Sequence, residues 1–251
     1  MADNPGSPLP PETLVAIDRE IRVGFLHPRL RKPNYLERRF ILDSLRRTAC
    51  HLKPGRLLDV GCGIKPYESI LRPPDSEYVG IDYPVTAETQ GRPWTKADVF
   101  ADCVDMPFKD GEFDSVICTQ VLEHVSEPKA LLQEIGRVLK PGGVLLISVP
   151  MSWPHHEEPH DFYRYTRYGL EHLLQETGFA MELCDQRGGL VATVIQLWLD
   201  SKFEPARSSI FSKLASNLCS IVLNSVANSA EAFRGKSRIC LGFTAVARRR
   251  G

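Results

Sequence analysis

Leu57-Leu58-Asp59-Val60-Gly61-Cys62-Gly63 is an apolar run with one acid near its end and an immediate break into glycine. A short apolar run bounded by turn residues predicts a buried parallel strand. Glycines directly after such a strand let the backbone turn sharply and leave it bare toward a ligand. A second apolar run, Tyr78-Val79-Gly80-Ile81, ends at Asp82, 21 residues beyond Gly61, with Tyr83 next. An acid at that offset, one βα unit further on, is where a nucleotide-type ribose would place its hydroxyls. A nicotinamide site wants G-x-G-x-x-G, and here Gly63-Ile64-Lys65 runs into Pro66. That loop does not offer the open backbone a pyrophosphate needs at a helix N-terminus, which disfavours a nicotinamide oxidoreductase.

Composition narrows the possibilities around this stretch. A chain of 251 residues suits one α/β domain with an insertion. The hydrophobic fraction of 43% and charged fraction of 25% are ordinary for a soluble globular protein. Basic and acidic residues balance at 31 each, so no charge excess argues for a nucleic-acid partner. The seven cysteines are dispersed without a C-x-x-C pair, which argues against a zinc framework and for reduced thiols in a cytoplasmic protein. The Pro-rich start lacks the pattern of a signal peptide, and no stretch approaches the roughly 20 apolar residues of a spanning helix.

Taken in order, residues 1–11 read as disordered. Residues 12–24 and 34–50 read as amphipathic helices, the second with Leu36, Phe40, Ile41 and Leu45 on its apolar face. The basic loop between them reads as solvated. Strands are expected at 56–60, up to Asp82, near 94–99, at 113–118, 144–149 and 180–185, and at 239–247. Helices are expected at 66–71, 126–139 and from Thr166 to Gly178, with Lys140-Pro141-Gly142-Gly143 as a stop signal. Two apolar helical segments, 190–199 and 210–233, precede the last strand, and Arg248 to Arg250 read as a solvated tail.

Five blocks occur in a fixed order: D-V-G-C-G at 59–63, ADCVDMPFKDGEFDSVI at 101–117, LEHV at 122–125, LKPGG at 139–143 and GLEHLLQETGF at 169–179. Together they resemble class I S-adenosylmethionine (SAM) dependent methyltransferases of the type 11 subgroup. The resemblance implies a Rossmann-like α/β sheet with helices on both faces, here with a helical insertion before the last strand. It divides the chain into an N-terminal tail and helices (1–52), a SAM-binding core (53–187), a helical cap (188–236) and a last strand with a basic tail (237–251). It implies SAM as cofactor, held by Asp59, Gly61, Cys62, Gly63, Asp82 and Tyr83, with Asp102 and Cys103 beside the adenine and Gln120 toward the methionine part. SAM carries no phosphate, and its amine and sulfonium are cationic, so an acid near a glycine turn suits it. A nucleic-acid methyltransferase is disfavoured, because Thr119-Gln120-Val121-Leu122 stands where N/D-P-P-Y/F would be.

The loop after the fifth strand, PMSWPHHEEPHDFYRY at 150–165, is dense in histidine, acids and aromatics. Three readings stay open for it. It could take a proton from a hydroxyl acceptor, with His160 and then His124 as candidate bases. It could hold a metal through His155, His156, His160 and a carboxylate, although no metal is assigned. It could be a lid whose polar groups bond one another. Glu123 and His124 read first as groups that orient the loop through hydrogen bonds, and second as a catalytic base. The expected activity is methyl transfer to a small-molecule, sugar or lipid-linked acceptor, with oxygen as the methylated atom; the alternative is a SAM-binding regulator or partner subunit without catalysis. The apolar segment 190–233 is expected to cap the site, form a dimer face or touch a membrane peripherally.

Overall fold

The fold is a computed structural model that describes residues 20–83, 95–202, 210–232 and 237–251. Residues 1–11 and most of the first expected helix lie outside the described residues, as does Trp94. The end of that helix, α1, occupies 20–26. After it come α2 (Tyr35–Thr48), β1 (Arg56–Val60), α3 (Glu68–Leu71), β2 (Glu77–Asp82), β3 (Val99–Phe100) and β4 (Phe113–Thr119). The second half contains α4 (Pro128–Val138), β5 (Leu139–Pro150), α5 (Arg167–Glu176), β6 (Phe179–Arg187), α6 (Leu190–Lys202), α7 (Ile210–Ala232) and β7 (Gly242–Arg249).

The strands form one seven-stranded sheet in the order β3-β2-β1-β4-β5-β7-β6. The first five are parallel, whereas β7 runs antiparallel to both β5 and β6. Alternate residues of a strand face opposite sides, and the core divides accordingly. Leu58, Val60, Val116 and Leu145 join Leu131 and Ile135 of α4 and Leu170 and Leu174 of α5 on one face. Leu57, Ile117, Val144 and Leu146 join Ile41, Leu42 and Leu45 of α2 on the other. The expected sheet with helices on both faces is therefore what the chain builds. The insertion is also present as α6 and α7, seated on α2 through Leu36, Phe40, Ala192 and Ala227.

Polar bonds fix that seat. Gln196 of α6 donates to the Pro33 carbonyl at 3.0 Å and accepts from the Glu37 amide at 3.2 Å. Asn224 of α7 donates to the Leu30 carbonyl at 2.7 Å. The insertion thus closes over the N-terminal helices.

Boundaries differ from expectation where tertiary pairing overrides local signals. β5 begins at Leu139, which pairs with Phe113, so the Lys140-Pro141-Gly142-Gly143 turn signal lies inside a strand with an irregular register. β7 starts at Gly242 rather than Ile239 and runs through Arg249. Arg248 is no solvated tail: it opposes Val144 and makes a two-bond ion pair with Glu182. Thr166 caps α5 by accepting from the Gly169 amide at 3.0 Å.

Candidate functional site

The carboxyl ends of β1, β2, β4 and β5 open onto one cavity of about 590 Å³. Ligands of open α/β sheets collect at this edge, where the strand order reverses. Gly61 turns the chain at φ +66°, and its amide donates to the Ile81 carbonyl at 2.9 Å. A side chain on Gly61 would press on Val121 Cγ2 at 2.4 Å. At Gly63, φ is +48°, and a Cβ there would meet nothing within 4 Å. Two glycines thus do different work: Gly61 lets the turn pack, and Gly63 leaves bare backbone toward the cavity.

Asp59 lies under this turn and is almost fully buried. Burial pushes its carboxyl up to about 7, partly opposed by the Tyr78 hydroxyl, which donates to Oδ2 at 2.6 Å. Asp82 closes the turn from β2: its Oδ2 accepts from the Gly63 amide at 3.1 Å and from Thr95 Oγ1 at 3.0 Å. Burial raises the Cys62 thiol well above its ordinary range, so Cys62 packs against Gly80 and stays a thiol.

Gln120 follows β4 with φ +55°. Its amide donates to the Ser148 carbonyl at 2.9 Å, and its side-chain Nε2 donates to Ser148 Oγ at 3.0 Å. Past it, residues Leu122–His124 form a short 3-10 turn. The Glu123 carbonyl accepts from the Phe162 and Tyr163 amides, which moors the loop after β5 to this turn. Within the loop Arg164 grips both carboxylate oxygens of Asp161 and also donates to the carbonyls of Trp153 and Pro154. The guanidinium holds the Asp161 carboxyl far below the usual range.

Seven of the expected site residues line the cavity: Asp59, Gly61, Cys62, Gly63, Asp82, Gln120 and His124. Four do not. Tyr83 is exposed and contributes its amide to Asp82 Oδ1 at 2.9 Å. The Asp102 carboxylate caps its own turn by accepting from the Val104 amide at 3.1 Å. Cys103 packs against the core, and burial raises its thiol to about 12. His160 has an exposed ring, and what it gives the site is its carbonyl oxygen, 2.7 Å from His124 Nδ1. Of the two candidate bases, His124 thus lines the cavity and the His160 ring does not.

Other cavity residues carried weaker signals in the sequence. Glu37 and Arg38 come from α2, and Trp153, His156 and Glu157 from the loop already singled out. Asp200 is the sole acid of the apolar helix α6, a signal that could have marked it. Thr95 carried none. Two sets of residues therefore line the cavity: Asp59, Gly63, Asp82 and Gln120 from the strand edge, and Glu37, Trp153, His156 and Asp200 from the helices and the loop after β5, together with His124.

Comparison with known proteins agrees with this geometry. Residues 34–183 match the family model described as a methyltransferase domain. The chain is 31% identical over 125 residues to a sterol 24-C-methyltransferase of Aspergillus fumigatus, covering 46% of this chain and 33% of that protein. It is 31% identical over 132 residues to a demethylmenaquinone methyltransferase of Symbiobacterium thermophilum, covering 48% of this chain and 49% of the other. The matches thus span about a third to a half of those relatives. A solved Thermotoga maritima structure, described as a SAM-dependent methyltransferase and possible histamine N-methyltransferase, aligns with a TM-score of 0.55. It covers 95% of this chain and 98% of its own at 16% identity, a likeness of fold.

Proposed function

The chain belongs to the methyltransferase-domain family, and on that premise we propose that it moves a methyl group from SAM to a small-molecule or lipid-linked acceptor, with oxygen as the methylated atom. The observation that carries the reading is one cavity lined by bare backbone and an acid from the strand edge and by His124. Its volume lies within the roughly 300–1,000 Å³ of small-molecule sites. The open space over Gly63 fits a ligand that must lie against the main chain.

When bound, SAM supplies a methyl carbon already activated by its sulfonium leaving group. The residues of this chain then have three tasks. Gly61 and Gly63 present backbone, and Asp82 offers a carboxylate to ribose hydroxyls by exchanging its contact with Thr95. Gln120, fixed by Ser148, faces the methionine part. The α2 and α6 helices exclude water and align the acceptor, which is the main requirement for in-line displacement. Removal of a hydroxyl proton falls to the residues around His124.

The acceptor reading draws on two features. Glu37, His156 and Asp200 give the cavity polar groups suited to hydroxyls. Leu190, Val194 and Trp198 of α6, with Leu218 and Val222 of α7, leave apolar side chains exposed on the helical insertion. Among the described residues no helix is long and apolar enough to cross a membrane. A cytoplasmic enzyme that reaches lipid-linked acceptors from the membrane surface fits both.

The test is isothermal titration with SAM and S-adenosylhomocysteine, comparing the wild type with Asp82→Ala. Micromolar binding that weakens at least tenfold in the variant supports the reading. A folded wild-type protein that binds neither would sink it, and binding without turnover on any hydroxyl acceptor would favour a non-catalytic SAM-binding subunit.

A further inference from the structure

We propose that Glu123, His124 and His156 form a binding site for a divalent transition-metal cation, of the zinc or manganese type, in the wall of the cavity. One donor atom from each lies within 4.8 Å of the other two. One reading of the sequence groups His155, His156 and His160 with a carboxylate; the geometry instead brings His156 together with Glu123 and His124 of the turn after β4.

The first argument is Glu123. Its side chain has no exposed surface, and neither carboxylate oxygen has a hydrogen-bond partner. Buried polar groups are ordinarily satisfied, and a buried carboxylate without a partner needs a counter-charge or a proton. Arg187, buried with an unpartnered Nε, and Arg164 both attract this carboxylate from nearby, but neither bonds it: Arg164 donates to Asp161, Trp153 and Pro154, and Arg187 to the Val149 carbonyl. Oε1 faces His124 Nε2 at 3.9 Å.

The second argument is the orientation of the two imidazoles. His124 Nδ1 lies 2.7 Å from the His160 carbonyl, so that nitrogen carries the proton and Nε2 presents a lone pair. His156 Nδ1 lies 3.3 Å from the Pro154 carbonyl and 3.6 Å from Asp161 Oδ2. Its Nε2 is therefore the nitrogen left to a ligand. Metal-binding histidines are held in this way, with the second nitrogen donating to a carbonyl or carboxylate.

Two histidines and one carboxylate suit zinc or manganese and leave coordination positions open. Metal–ligand bonds of about 2.0–2.2 Å require the three donors to draw together. Glu157 Oε2, 3.9 Å from His124 Nε2, or an acceptor hydroxyl stands on the open side. A cation there lowers the pKa of a hydroxyl that ligates it, so that its proton leaves to water near neutral pH. This step rests on the methyl-transfer reading; the cation site itself does not.

The experiment is calorimetric titration of chelator-stripped full-length protein with Zn²⁺, and electron paramagnetic resonance with Mn²⁺, both without SAM. His156→Ala and Glu123→Gln are compared with wild type and with His155→Ala, whose ring is exposed and outside the cluster. One saturable site is expected in wild type and His155→Ala, with affinity reduced at least tenfold in the other two. Circular dichroism checks folding, and if Glu123→Gln does not fold, His156→Ala decides. A folded wild type without saturable binding, or unchanged affinity in His156→Ala, would overturn the proposal. SAM titration of the wild type separates the outcomes: SAM binding without saturable cation binding sinks the metal site alone, and cation binding without SAM binding sinks the cofactor reading alone.

Discussion

His124 Nδ1 lies 2.7 Å from the carbonyl oxygen of His160. The contact uses the backbone of His160 and the ring of His124, so the two histidines are not equivalent. His124→Ala is expected to lower kcat about 100-fold with SAM affinity retained, whether Nε2 takes the hydroxyl proton itself or holds the cation that acidifies the hydroxyl. His160→Ala should leave turnover near wild type, because the carbonyl persists. Equal losses in both would show that the His160 ring enters the chemistry.

Gly63 has φ +48° and open space over its Cα. Gly63→Val should cost roughly 1–2 kcal/mol of stability through the left-handed backbone alone. Its larger effect should be on SAM, with affinity down more than tenfold because the side chain enters the cavity. Gly61→Ala should be the more destabilising of the two glycine substitutions, since its methyl meets Val121 at 2.4 Å. Denaturant unfolding and calorimetry on the same proteins separate these effects.

Asp59 gives the fold a pH dependence. Its folded carboxyl titrates near 7 because burial disfavours the charge, whereas an unfolded aspartate titrates near ~3.9. The folded state therefore holds the proton more tightly. Stability relative to Asp59→Asn is highest below about pH 4 and is lost as pH rises toward 7, on the order of 4 kcal/mol in all. Tyr78→Phe removes the donor that favours the charged form and should extend the loss to higher pH. A flat difference between wild type and Asp59→Asn across pH 4–8 would contradict the burial argument.

Arg164 joins Asp161 to the carbonyls of Trp153 and Pro154. Arg164→Lys keeps a charge but cannot reproduce the two-bond fork. It should cost about 2 kcal/mol, in line with charged hydrogen bonds, and expose the 150–165 loop to protease. Unchanged cleavage would mean that the amides of Phe162 and Tyr163 on Glu123 suffice to hold the loop.

The apolar surface of α6 and α7 can be tested on vesicles. Trp198→Ser with Leu218→Ser should abolish co-sedimentation with phospholipid vesicles while SAM binding stays intact. Loss of a dimer instead, read by light scattering, would assign the face to self-association.

Much of this was legible in the sequence, for identifiable reasons. β1 and β2 end in an acid or glycine after an apolar run, and both the strands and the cavity residues Asp59, Gly61, Gly63 and Asp82 follow from that pattern. The start of β5 was hidden because its pairing with Phe113 is a long-range contact while Pro141 and Gly142 are local turn signals. Arg248 read as tail because its partner Glu182 is on another strand. Asp102 and Cys103 were placed by analogy, and in the fold Asp102 bonds its own turn while Cys103 packs on the core. Glu37 and Asp200 reach the same cavity only because α6 packs on α2, a pairing no periodicity encodes.

β6 has β7 as its sheet partner, and β7 lies between it and β5. More than fifty residues, including α6 and α7, separate Arg187 from Gly242. In chain growth, β6 would therefore leave the ribosome without a neighbour to dock on, and the ladder on that side would close only when β7 emerged. Lengthening the connection adds little closure entropy, but the non-local contact makes this edge a slow step in folding. The edge of the sheet farthest from β3 is thus the last to be secured, and nascent chains halted within α7 would carry β6 as an unpaired strand within reach of other chains.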